Sequence, residues 1–558
     1  MSTESDQQQS GTPIDDGTET VVGQTEASSA ESSQQRFGTA IDEDTEAVVI
    51  IGSGAGGGTI AYELTARGIP CVVLEAGAWL KPDDYENDEW PAFGQMAWLD
   101  NRTTSGSWRV ASNFPNLPAW IVKAVGGSTT HWSGATPRFH EYEFKVKTYY
   151  SGVDGANLLD WPIGLADLAP YYDRAEKAIG STHRHGRAPQ PANNNYKVFA
   201  NGAERVGYKF YATGPYGTNA EPYDGRPASI QDGFNFQGDK QTAKWSTAVR
   251  EIPRAVATGR CDLRTHSQAV QITHDAQGRA NAVLYLDREG NLHRQAAKVV
   301  CLAGNTIESP RLLLMSASSL HPNGLANSSG QVGRNYMRHT TGSVYARFDK
   351  PVRMYRGETM AGIIADEAKL DTSRGFAGGY YMETLSLGPA FLAAFVEPGA
   401  WGREFTELMD AYANTAGMWI VGEDLPQETN RVTLNTAAKD QWGLPVPNVH
   451  FDDHPNDTAM REHGYSRADL LYESVGALGT HHTPPYPSTH NLGTCRMSER
   501  PEDGVIGRYG EAHDVPGLFV SDGSVMTTGA AANPTLTIVA LAIRQAEHIA
   551  DRLAKADL

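Results

Sequence analysis

The stretch from Ala47 to Gly77, AVVIIGSGAGGGTIAYELTARGIPCVVLEAG, decides how this chain is read. Its first five residues form a short continuous apolar run, the kind that fills a parallel strand buried on both faces. GSGAGGG follows, and then TIAYELTARG, whose apolar side chains recur at helical spacing. Gly52, Gly54 and Gly57 stand in the G-x-G-x-x-G order. Missing side chains there permit a tight turn, close approach of a pyrophosphate and close packing of helix on strand. The N-terminus of that helix offers its free N–H groups and partial positive charge to the same diphosphate. A second apolar run, CVVLEAG, brings Glu75 to the place where a carboxylate meets an adenosine ribose, and an acid there disfavours a 2′-phosphate. The unit predicts a dinucleotide, and by itself leaves nicotinamide and flavin both open.

Outside this unit the composition narrows the function. Residues 1–45 hold ten Asp and Glu against Arg36 alone and are rich in Ser, Thr and Gln. So few large apolar side chains cannot offset the entropy of ordering, which predicts a disordered acidic tail. The 558 residues carry a net charge of −19, with no local basic patch. That balance repels phosphate backbones and anionic lipid surfaces, so nucleic-acid and peripheral-membrane binding are set aside. No uncharged apolar run approaches the roughly 18 residues of a membrane helix. The start, MSTESDQQQS, has neither a basic flank nor an apolar stretch, which points to a cytoplasmic protein and leaves open export on a partner that carries the signal. Cys71, Cys261, Cys301 and Cys495 are far apart in sequence without a CxxC, so they read as reduced buried thiols and not as a disulfide frame or zinc site. The length favours two domains.

The C-terminal run GLFVSDGSVMTTGAAANPTLTIVALAIRQAEHIADRL, from Gly517, predicts a short strand, a small-residue loop and a long amphipathic helix. Asn533 sits where an N-cap belongs and Pro534 fits the first turn. Leu536, Val539, Ala540 and Ile543 give a core-facing stripe, leaving Arg544, Glu547 and Asp551 for solvent. Residues 262–303 read as short strands with turns at DAQGR and DREGN, ending in the buried-strand run VVCLAG.

Several motifs occur together and in order: the glycine unit, VGGSTTHWSGATPRF (125–139), CLAGNTIESPRLLL (301–314), VGRNYMRH (332–339), HNLGTCRM (490–497) and SDGSVMTTGAAANPTLT (521–537). This set resembles the glucose–methanol–choline (GMC) oxidoreductases, flavin enzymes that oxidise alcohols. The HW pair and the NPTLT ending look most like the pyranose oxidases and the bacterial sugar, sugar-acid and polyol dehydrogenases. The resemblance implies an α/β (α+β overall) fold, with a Rossmann-like FAD-binding domain assembled from residues 45–150, 240–340 and 485–558. It implies a substrate domain on an antiparallel β-sheet from 151–239 and 341–484. It also implies FAD, with the ADP half at Gly52, Gly54, Ala55, Gly57 and Glu75. The rest of the cofactor would meet Gly126, Gly127, Trp132, Ser133, Ala303, Gly304, Gly523, Asn533, Pro534 and Thr535, with Asp522 holding its ribityl or phosphate region and the flavin reaching toward the C-terminal motifs.

Roles follow from the same likeness. Alcohol oxidation needs a base for the hydroxyl proton, and histidine, with an ordinary pKa near about 6.5, is suited to it. His490 matches the family's active-site histidine and is assigned as that base. Asn533 matches the second active-site position, where its amide can donate to a forming alkoxide. His131 of the HW pair matches a histidine that in some branches is joined covalently to the flavin, and in others only packs near it. Ser133 matches a small hydroxyl residue near the flavin. The substrate implied is a polyhydroxylated alcohol, meaning a sugar, glycoside, sugar acid or polyol. The electron acceptor is left open among oxygen, quinone and a redox protein, with a small or cytochrome subunit as a partner. A non-redox hydroxynitrile-lyase-like member of the fold, and a catalytic subunit of a multi-subunit dehydrogenase, are the rival readings. Other features read blandly: His481–His482 as a pair in a Pro-rich loop, Asp452 to Asp457 as a solvated acidic turn, and Cys495 as an inert thiol.

Overall fold

Ala47–Ile51 becomes the central strand of an eight-stranded sheet, with all five residues buried. The structure is a computed structural model, and residues 35–107, 119–150, 152–395, 400–483 and 488–558 are described. The neighbours Cys71–Leu74 and Leu292–Leu302 run parallel to that strand; Cys261–Arg264 extends the parallel set on one side and Leu518–Val520 on the other. Both faces are covered, which is why these strands read as unbroken apolar runs. Val48, Ile50 and Val73 pack against Ile60, Leu64 and Ala546 of the helices Ala55–Thr65 and Thr535–Ala554. Val49, Ile51, Val72 and Leu74 join a second cluster with Leu536, Val539 and Ile543. The parallel strands end along one edge, so the residues that follow them, Gly52, Glu75, Ala303 and Ser521, converge there. Open α/β sheets bind ligands at such an edge.

A six-stranded antiparallel sheet is built from Gly479–His482, Thr340–Arg347, Thr415–Gly422, Tyr380–Thr384, Ile363–Ile364 and Tyr211–Ala212, in that order. Val344, Met382, Met418 and Ile420 of one face pack with the helices Asn194–Arg205 and Pro455–Ser474. On the other face Trp419 stands directly opposite Glu383 in register. Cross-strand partners share a face, so this pair looks away from the helices.

The structure corrects five expectations. Residues 1–34 of the acidic tail lie outside the described residues, but Arg36–Gly38 is an edge strand antiparallel to Cys261–Arg264, with Ile41 N donating to Asp262 at 3.0 Å and Phe37 packed on Trp79. A three-residue edge strand needs only backbone partners and one anchoring ring, which composition does not register. His481 and His482 lie on a strand, where His482 pairs with Asp469 at 2.9 Å. Asp457 is buried in the first turn of the helix Pro455–Ser474, and its carboxylate accepts from Leu425 N. The terminal helix starts at Thr535, one residue later than capping by Asn533 would require, and Arg544 is buried with its guanidinium over the Tyr509 ring. All four cysteines are free and buried. Among the described residues no helix is long and apolar enough to cross a membrane.

Candidate active site

A single long cavity runs from the glycine turn to His490 and Asn533. Its empty space, open solvent at the mouth included, is about 1870 Å³. Of the residues marked in the sequence, Gly52, Gly54, Ala55, Glu75, Gly127, Trp132, Ser133, Ala303, Gly304, His490, Asp522, Gly523, Asn533, Pro534 and Thr535 line it. Gly57, Gly126 and His131 are not among the lining residues.

At the glycine end the backbone is packed as tightly as main chain allows. A Cβ on Gly57 would sit 2.0 Å from the Gly52 carbonyl oxygen, and one on Gly56 would sit 1.5 Å from that of Ser521. A Cβ on Gly54 would meet nothing nearer than 3.9 Å, so Gly54 faces open cavity while Gly56 and Gly57 fix helix against strand. Glu75 does more than line the wall: it accepts from Ser53 N (3.0 Å), Ser53 Oγ (2.6 Å) and Gly77 N (3.0 Å). Ser53 Oγ accepts in turn from Gly126 N at 3.1 Å. This buried network ties the turn, the second strand and the Gly126–Gly127 segment together. Burial pushes the Glu75 carboxyl up, against the pull of these donors. Asp522 accepts from Asn305 N (3.0 Å), Ser309 Oγ (2.6 Å) and Ser524 N (2.8 Å). It thus holds the start of the helix Asn305–Met315 while facing the cavity.

At the far end, Met337 and Leu492 exchange backbone hydrogen bonds of 3.0 and 2.9 Å. That pairing sets His339 beside His490, Nδ1 to Nδ1 at 3.0 Å. The other nitrogen of His339, Nε2, lies 3.0 Å from the Gly529 carbonyl oxygen. A carbonyl only accepts, so the proton of neutral His339 is on Nε2 and its Nδ1 is a lone pair. His490 must then donate from Nδ1, which leaves its Nε2 unprotonated. Burial holds His339 down at about 4 and, with His339 beside it, holds His490 well below the ordinary imidazole value. Both rings are therefore neutral at pH 7. His339 carries no sequence signal beyond its place in VGRNYMRH and was not marked as a site residue.

Asn533 is buried, with Nδ2 3.5 Å from Glu383 Oε2. Glu383 is fully buried on the antiparallel sheet, and its other oxygen, like Asn533 Oδ1, has no hydrogen-bond partner among the described residues. Burial raises Glu383 to about 8, so it is mostly a neutral acid at pH 7. Sequence reading missed it because nothing near Glu383 forms a motif; only the sheet register brings it to Asn533.

His131 is buried with Nδ1 3.1 Å from the Phe236 carbonyl oxygen. Its Nε2 has no partner among the described residues. Burial and the neighbouring Lys244 ammonium lower His131 to about 4. Lys244 Nζ donates to the carbonyls of Thr130 and Trp132 on either side of it, at 3.0 and 2.8 Å.

Residues 104–341 match the N-terminal and 426–542 the C-terminal GMC oxidoreductase family. The chain is 36% identical over 535 residues to the 2-methyl-1,2-propanediol dehydrogenase of Mycolicibacterium austroafricanum, covering 90% of this chain and 95% of that one. This protein belongs to the GMC oxidoreductases. It is also 27% identical to the fructose dehydrogenase large subunit of Gluconobacter japonicus, covering 90% of this chain and 98% of that subunit. Its fold is shared with pyridoxine 4-oxidase from Mesorbium loti, at a TM-score of 0.61 and 18% identity over 91% of this chain and 99% of that one. As a GMC oxidoreductase it is an FAD enzyme acting on alcohol-type substrates. Its donor set suits that cofactor: glycine backbone and a helix N-terminus at one end, and neutral imidazole and carboxamide at the other.

The His490–His339 hydrogen bond has a testable consequence if His490 is the base. Replacing His339 by leucine removes the acceptor that fixes the His490 tautomer, so alcohol-driven bleaching of the flavin is expected to slow roughly 10–100-fold, as when a group orienting a histidine is lost. It also removes the neighbouring imidazole that lowers the His490 pKa. The acid limb of the pH profile should then move to higher pH, and His339→Asn, whose Oδ1 can accept, should restore much of the rate. A limb that stays in place would contradict that consequence.

Proposed function

We propose that this GMC oxidoreductase oxidises an alcohol hydroxyl to a carbonyl, with His490 as the base and Asn533 as the donor to the forming alkoxide. FAD, when bound, supplies the two-electron acceptor for the carbon-bound hydrogen. His490 Nε2 takes the hydroxyl proton, because the tautomer set by His339 leaves that nitrogen as a lone pair. Neutral Glu383 can donate its acid proton to Asn533 Oδ1 and so turn Nδ2 toward the cavity; an ionised Glu383 would hold Nδ2 for itself. The orphaned Nε2 of His131 is the atom that a covalent bond to the flavin would use. Colour retained by acid-precipitated polypeptide supports that linkage, and colour left in the supernatant removes it.

The observation that carries this reading is the pair of neutral groups, an unprotonated imidazole and a carboxamide, at the far end of the cavity that begins at the glycine turn. Anaerobic addition of alcohol to the FAD-loaded protein tests it: bleaching of the yellow colour is expected, and a colour that only dithionite removes would favour the lyase-like reading. Admitting oxygen, a quinone or a cytochrome afterwards identifies the acceptor. A cytoplasmic location and a partner subunit belong to the same proposal.

A further inference from the structure

The two ends of the cavity differ in chemistry. Its ionisable carboxylate and ammonium groups, Glu75, Lys123, Glu308 and Asp522, belong to the stretch around the glycine turn and the helix Asn305–Met315. The end at His490 is walled by Trp120, Phe236, Met360, Leu387, Phe391 and Trp419. Five of them are buried members of one apolar cluster, and Phe236 is packed against that cluster. They make a continuous surface: Trp419 lies 5.8 Å from the His490 ring, Trp120 5.6 Å from Phe236, and Phe236 5.3 Å from Phe391, centroid to centroid. Behind Phe391 the ring of Phe93 is 4.3 Å away. The polar groups among the described lining residues at this end are the hydroxyls of Ser133, Thr359 and Thr489, the indole N–H groups of Trp120 and Trp419, and the side chains of His490, Asn491 and Asn533. Glu383 does not line the cavity and is turned to Asn533.

A pyranose or an open-chain polyol brings four or more hydroxyls into such a space. One can be served by His490 and Asn533. Each further hydroxyl stripped of water against indole, phenyl or thioether surface, without a partner, is penalised. An alkyl or aryl body gains from the same surface, in proportion to the area it takes out of water. Sites built for polyhydroxylated ligands instead place side-chain carboxylates, carboxamides or guanidinium groups around the reacting centre; among the described residues this end has Asn533 and Asn491, and the Asn491 carboxamide is taken up by Tyr336 Oη and the Thr489 carbonyl.

We infer that the substrate is an alcohol or vicinal diol with an apolar aliphatic or aromatic body, and not a sugar or sugar acid. The inference rests on the alcohol-oxidation reading above and narrows the substrate class that the family likeness implied.

The test compares two sets of alcohols on the FAD-loaded wild-type enzyme under anaerobic conditions, reading the second-order rate constant for flavin bleaching. One set is ethanol, 1-butanol, 1-hexanol, 1,2-butanediol and benzyl alcohol; the other is glycerol, glucose, fructose and gluconate. Along the unbranched alkanols each added CH₂ is expected to raise the rate constant about fourfold until the pocket is full. Glucose and gluconate are expected to fall roughly a hundredfold or more below 1-hexanol, as two stranded hydroxyls would impose. A sugar that bleaches the flavin as fast as the best alkanol, or an alkanol series that is flat, overturns the substrate class and leaves alcohol oxidation standing. Silence from both sets in a protein that dithionite still bleaches overturns alcohol oxidation itself, and the substrate class with it.

Discussion

His490→Ala is expected to slow alcohol-driven flavin bleaching roughly 10²–10⁴-fold, the range supplied by a positioned general base. The yellow colour and the melting temperature should barely change. The expectation comes from what the ring does in the structure. Its Nδ1 is committed to His339 at 3.0 Å, and its Nε2 is the basic atom at the cavity's far end. Removing it opens space beside Trp419 without leaving a buried charge, because both imidazoles are neutral at pH 7. A purely packing histidine would behave differently, costing stability and sparing the rate. The pH dependence gives the same role a sign. Burial and His339 lower the His490 pKa, so the basic form persists as pH falls through the ordinary imidazole range near about 6.5. Wild-type bleaching should hold its neutral-pH rate past that range and decline only in more acid solution. Small exogenous bases such as imidazole should restore part of the alanine variant's rate and none of the wild type's.

Gly56→Ala is expected to abolish cofactor retention, giving a protein that purifies colourless or fails to fold. The added Cβ would lie 1.5 Å from the Ser521 carbonyl oxygen and 2.7 Å from its carbonyl carbon. Both are main chain, held where Ser521 N donates to Leu302 O at 2.8 Å. Neither side can give way as a flexible side chain would, so helix and loop must separate, at a cost of at least about 1–3 kcal/mol for overpacking a tight site. Separation also moves Asp522, which follows Ser521 and lines the cavity. Gly54→Ala is the control. Its Cβ has 3.9 Å of clearance from the protein, so the fold should survive with an unchanged melting temperature. FAD binding should weaken, because the methyl group projects into the cavity. Equal stability for the two variants would contradict the packing argument.

How much of this was legible beforehand follows from what each part depends on. The parallel core was readable because burial on both faces forces unbroken apolar strands, and the glycine turn because backbone approach forces glycine at fixed spacing. Even there the G-x-G-x-x-G template pointed to Gly57 and passed over Gly56, whose neighbour Ser521 lies hundreds of positions away. The motifs from 125 to 537 carried the family, and His490 and Asn533 came from that likeness alone. His339 and Glu383 were not legible: each acquires its role through a partner brought in by pairing, Leu492 with Met337 and Trp419 with Glu383. The apolar wall at the reacting end is assembled from residues between 120 and 419, on separate strands, helices and loops. No window of sequence contains enough of it to show that it is a wall. The edge strand Arg36–Gly38 was missed for the complementary reason, since backbone pairing leaves almost no trace in composition.

The central proposal is that the flavin ring lies against His490 and Asn533. A crystal structure of the FAD-loaded protein with a bound apolar alcohol tests it most directly. The account predicts the alcohol oxygen within hydrogen-bond reach of both His490 Nε2 and Asn533 Nδ2, and the alcohol's body against Trp419 and Phe391. A flavin seated elsewhere, or an alcohol oxygen that neither side chain reaches, would contradict it.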